Sequence, residues 1–203
     1  MNGRRVLATL IRREFWEHRG LWVVPLVTAA MLVVLTAIAG KRIGFLHVQV
    51  NGKEAQVLAA LAGPAQVKYF GVFIGFLLAT QLAIALVVLF FYLLDSLYSE
   101  RKDRSILFWK SLPVSDAMTV ASKAVVALLV VPLLVWLLSL LVSVLCAAAL
   151  AVGVARMPYA AIATWHTDVW MTMQGTLLLD MLIAALWYAP IAAFLLLVSA
   201  FAR

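Results

Sequence analysis

The sequence predicts an all-α integral membrane protein: an N-terminal interfacial helix, four transmembrane helices, and a short helix in the loop between spans two and three. Three observations predict it. The 203 residues are 66% hydrophobic and 12% charged, against about 45–50% and about 25% in soluble domains. Mean hydropathy is +1.07. The charges are also segregated, leaving four runs free of Asp, Glu, Lys and Arg, each long enough to cross a bilayer.

Residues 1–20 mix the two characters. Val6, Leu7, Leu10 and Ile11 share one helical face, while Arg5, Arg12 and Arg19 recur every seven residues on another. That pattern suits a helix lying along the inner membrane surface, with its arginines among anionic lipid headgroups. Glu14 and Glu17 interrupt the apolar face near its end. Residues 21–40 follow as span one: the uncharged run Gly20–Gly40 reaches about 30 Å at 1.5 Å per residue. It is longer than the apolar region of a signal peptide, about 7–15 residues. Residues 41–68, with several glycines and four basic residues, read as an outer loop.

Span two is 69–95, ending at Asp95, with Tyr92 and Tyr98 placed as an interfacial aromatic belt. Span three fills 124–153, where Pro132 is a candidate kink. Residues 154–175 read as a second outer loop rich in aromatics, and 176–202 as span four. Of the sixteen Lys and Arg residues, eleven fall in 1–20, 96–123 and 203. The bias places both visible ends in the cytoplasm. The formal charge of +7 therefore reads as a membrane-surface feature and not as a nucleic-acid footprint.

The polar segment 96–123 is the long interruption at the centre of the chain. Pro113 breaks any helix at Leu112, Ser115 caps the next one, and Asp116 meets its positive end. Lys123 is positioned to snorkel toward headgroups. Asp103–Ser111 has room for two turns of helix displaying Phe108 and Trp109, which is the composition of a docking surface.

Ser99-Glu100-Arg101, Asp103-Arg104, Ser111-Leu112-Pro113-Val114-Ser115 and Ser122-Lys123 occur in that order after the second span, and Arg13-Glu14-Phe15-Trp16 stands before the first. In these residues the chain resembles the ABC-2 type transporter permeases. The resemblance covers the chain in layout, its sharp residues about thirty positions. It implies a permease subunit of an ATP-driven exporter in the inner membrane, paired as a homodimer or heterodimer over separate ABC ATPase subunits. It further implies a coupling helix using Glu100, Arg101, Asp103, Arg104, Leu107, Phe108, Trp109 and Pro113. No GxxxxGK[ST] occurs, so ATP and magnesium belong to the partner subunit and this chain carries neither cofactor nor metal. The family pattern is six spans, so the sequence reads as lacking the last two.

Other residues offer less. His47, His166 and Asp168 lack metal-ligand spacing and read as solvated loop residues. Asp180 reads as a carboxylate near the outer interface, Trp136 and Trp187 as helix-packing residues, and Cys146 and Met31 as lipid-facing or packing residues. Small residues from Ala147 to Gly153 permit close helix approach. Two other functions are compatible: a lipid-modifying enzyme using Asp180 with the His166–Asp168 segment, and a non-transporting membrane scaffold.

Overall fold

An uncharged run crossing hydrocarbon must satisfy every backbone N–H and C=O within itself, which restricts it to helix or closed barrel. Here the outcome is helix. The computed structural model describes residues 3–45, 64–102, 115–155 and 165–201, and no strand occurs among them. The elements are α1 (Gly3–Glu17), α2 (Gly20–Phe45), α3 (Pro64–Lys102), α4 (Asp116–Val125), a π-turn (Val126–Val130), α5 (Val131–Val154) and α6 (Thr167–Phe201). Four stretches are long and apolar enough to cross a membrane: Gly20–Lys41, Gln66–Lys102, Asp116–Gly153 and Thr167–Phe201. The protein is a multi-pass, all-α membrane protein.

Several boundaries shift from the sequence reading. The helix assigned to span four begins at Thr167, with Asp168 in its first turn, so Trp170 and Gln174 are helical and not loop residues. The helix leading into the third apolar run begins at Asp116, ahead of the 124–153 assigned to span three. Ser115 does cap it, with ψ 145° and its hydroxyl accepting from the Met118 N–H. Pro132 is accommodated by the π-turn just ahead of it, where the Val131 N–H bonds the Val126 carbonyl. A proline ring presses on the carbonyl four residues back, and widening the preceding turn relieves that clash.

The chain forms two units. One consists of Met1–Pro25, Leu82–Val135 and Leu179–Arg203. In it α1 packs on α4, and the chain turns from α1 into α2 at His18 and Arg19, whose carbonyls accept from Leu21 and Val23. The Ser199 hydroxyl of α6 accepts from the Leu97 and Tyr98 N–H groups, both at 3.0 Å.

The other unit consists of Leu26–Gln81 and Trp136–Leu178. Its core is Ala29, Leu32, Leu77, Val142 and Cys146, so Cys146 is a packing residue, whereas Met31 is exposed. Gly153 meets Gly40 backbone to backbone: a Cβ built on Gly153 would stand 2.7 Å from the Gly40 carbonyl carbon. That is the close approach small residues permit. A polar clamp joins α5 to α6 in the same unit. Ser139 donates to the Gln174 side-chain oxygen at 3.0 Å, Trp170 Nε1 donates to Ser143 at 2.8 Å, and Trp136 Nε1 donates to the Gln174 carbonyl. Trp136 is therefore a packing residue, while Trp187 is exposed.

Candidate functional site

A cluster of buried charges in the first unit joins α1, α3 and α4. On α3, Tyr92, Ser96 and Glu100 recur at four-residue spacing and so share a face. Ser96 is fully buried, and a side chain that small lets a neighbour come close. On α1, Leu10 and Glu14 stand at the same spacing, placing the Glu14 carboxylate in line with the buried Leu10, and His18 follows just past the helix end, its N–H on the Glu14 carbonyl. From α4 comes Lys123.

The Lys123 ammonium is 0% exposed. It donates to Glu14 Oε1 at 2.8 Å and lies 3.2 Å from Glu100 Oε1. Glu14, itself 2% exposed, accepts on its second oxygen from the Tyr92 hydroxyl at 2.9 Å. Glu100 also accepts from Arg13 Nη2 at 3.1 Å, and Arg13 Nε donates to Glu17. His18 completes the rim, 3.9 Å from Glu14 and 4.0 Å from Asp95, with its ring edge-on to Tyr92 at 5.0 Å. Burial pushes the His18 pKa below its ordinary 6.5, against the pull of the Glu14 charge.

Carboxylate oxygens of Glu14, Glu17 and Glu100 converge within 4.8 Å, a separation a metal ion could bridge. Two of the three carboxylates already hold the Lys123 ammonium and two hold the Arg13 guanidinium, so the counter-charge comes from the protein. The chemistry of the arrangement is mechanical. Desolvating buried ions costs about as much as their attraction returns, so such clusters add little net stability, but removing one member strands the others. What the cluster specifies is geometry: α1, the end of α3 and the last turn of α4 are fixed to one another.

The sequence-predicted residues divide accordingly. Glu100 turns inward to Arg13 and Lys123, whereas Arg101 is exposed. Asp103, Arg104, Leu107, Phe108, Trp109 and Pro113 lie outside the described residues, as does His47. Arg12 and Arg19 are exposed; the Arg5 side chain lies outside the described set. Lys123 does not snorkel, because Glu14 and Glu100 offer it buried partners. Tyr92 is buried for the same reason and is not a belt residue. His166 is no solvated loop residue: its ring packs edge-on to Phe70 at 5.5 Å, and Trp165 meets the same Phe70 ring edge-on at 5.3 Å. Asp180 and Asp168 are exposed.

No family model matches this sequence, and no curated protein or solved structure matches it either.

Sequence reasoning missed Glu14, Tyr92 and Lys123 as a unit. Lys123 and Glu14 are 109 positions apart, and no local pattern joins them. A signal was present in Glu14, which continues the face of Leu10. An acid on the buried side of a helix needs a cation brought from elsewhere in the fold.

Proposed function

We propose that the chain is the membrane-spanning subunit of an ATP-driven exporter of the ABC-2 permease kind, driven by separate ATPase subunits. The observation that carries this reading is the buried charge cluster that joins α1, α3 and α4. Glu100 stands just before the 103–114 segment and Lys123 shortly after it, and both are tied to α1 through Glu14 and Arg13. A push delivered to the chain between Glu100 and Lys123 is shared through these contacts by α3, α4 and α1, as rigid-body transmission requires. A passive tether needs no such contacts.

In this reading α1 and the 103–114 segment face the cytoplasm of a cell with an inner membrane. Leu107, Phe108 and Trp109 seat in the ATPase, and nucleotide binding there moves the helices. The permease works as a pair, homodimeric or heterodimeric, and the ATP and magnesium belong to the partner.

The test is the partner's enzymatic activity. Tagged full chain purified from membranes of its own host is expected to carry vanadate-sensitive ATP hydrolysis through size exclusion. Combined Leu107→Ala, Phe108→Ala and Trp109→Ala substitution is expected to strip that activity while leaving membrane insertion intact. Wild-type protein that purifies without ATPase activity, or a triple variant that keeps it, overturns the reading.

A further inference from the structure

A groove of about 700 Å³ opens between the start of α2 and the second half of α3, within the size range of small-molecule sites. Its walls are Leu21 and Val24 on one side and Val87, Val88 and Phe91 on the other, with His18 and Asp95 at one end. From Val87 to Asp95 the groove follows α3 for about 12 Å at 1.5 Å per residue. Phe91 and Val87 are well exposed along it, and the Asp95 side chain is 58% exposed. Gly20 contributes no side chain to the wall, and a Cβ there would meet nothing within 4 Å.

Among the described residues, the ion-pair contact of Asp95 is the His18 ring, at 4.0 Å. Burial favours the neutral imidazole, so the end of the groove carries the Asp95 charge largely uncompensated. The groove is thus apolar along its length and anionic at one end.

We propose that this groove binds a cationic amphipath, with a single aliphatic chain along Val24, Val87 and Phe91 and a primary ammonium on the Asp95 carboxylate. The apolar wall supplies affinity for any chain of this length, and the carboxylate selects the head by a charge-assisted hydrogen bond. The site borders the Glu14–Lys123 cluster through His18 and Tyr92, and it does not depend on the transporter reading.

The experiment uses the full chain in phosphatidylcholine nanodiscs and measures radiolabelled dodecylamine and dodecanoate retained in excess of empty discs. Dodecylamine is expected to be retained and dodecanoate not. Asp95→Asn is expected to weaken dodecylamine binding about tenfold, and Asp95→Lys to reverse the preference toward dodecanoate. Gly20→Phe, which fills open space, and Val87→Trp, on the opposite wall, are each expected to abolish binding while eluting as the wild type does. Asp116→Asn, an exposed carboxylate off the groove, is expected to change nothing. Doping the discs with lysophosphatidylethanolamine, which has one chain and a primary ammonium, identifies the source: a membrane aminolipid of this kind lowers dodecylamine capture, a free amphipath leaves it unchanged. Equal retention of amine and carboxylate, or full binding by Asp95→Asn or by both filling variants, overturns the proposal.

Discussion

Lys123→Met is the perturbation that isolates what the buried cluster does. Methionine keeps the unbranched apolar stem, which is wholly buried, and deletes only the ammonium. Glu100 then retains Arg13 at 3.1 Å. Glu14 is left with the Tyr92 hydroxyl at 2.9 Å and a His18 nitrogen at 3.9 Å, and neither carries a formal charge near neutral pH. A carboxylate 2% exposed without its cation costs about 3–5 kcal/mol. Glu14→Gln alone removes the charge together with its demand for a partner, and Lys123 keeps Glu100 at 3.2 Å. That change is expected to cost only about 1.5–3 kcal/mol, the value of one hydrogen bond to a charged group. The double variant no longer strands a charge at position 14. It is therefore expected to be more stable than Lys123→Met alone, and far from the sum of the singles. The assay is equilibrium unfolding in mixed SDS–detergent micelles, followed by Trp fluorescence. Additive effects, or a Lys123→Met cost under about 1 kcal/mol, would refute a buried ionic clamp and leave Lys123 an ordinary interfacial residue.

Three further outcomes follow from the same contacts. Gly153→Ala places a Cβ 2.7 Å from the Gly40 backbone and is expected to cost about 1–3 kcal/mol in the same unfolding assay; Gly40→Ala, with its nearest atom at 3.4 Å, is expected to cost less. Because His18 titrates below its ordinary 6.5 when folded, the unfolded chain binds more protons in that interval. Stability is then fully present above about pH 6.5 and falls as the pH drops below it, and His18→Gln is expected to flatten that part of the stability–pH curve. Ser143→Ala deprives the Trp170 indole of its acceptor at 2.8 Å, an interhelical bond worth about 0.6–1.7 kcal/mol in a membrane, measured as a shift of the same unfolding midpoint.

The spans were legible because the bilayer imposes a one-dimensional rule: twenty uncharged residues, whatever their order, cross as helix. The same rule explains where the reading fell short. At the ends of spans polar residues are admissible in either state, so Thr167–Gly175 read as loop although Trp170 and Gln174 bond Ser143 and Ser139 of α5. The π-turn was not legible either. Pro132 announces that one N–H is missing, but not whether the helix answers by kinking or by widening the turn ahead of it.

The charge cluster lies on a different level of inference from the spans. Lys123 and Glu14 are each unremarkable as flanks of apolar runs, and composition assigns both to the membrane surface, where hydration is cheap. Tertiary structure changes their solvent. Once α1 lies across the ends of α3 and α4, water is excluded from both, and each charge becomes tolerable only through the other. That mutual dependence gives the cluster its mechanical meaning. A surface helix held by headgroups alone can slide, whereas one held through Glu14 to Lys123 and through Arg13 to Glu100 moves only with both helices. Displacing any one of the three elements therefore disturbs the buried charges of the other two.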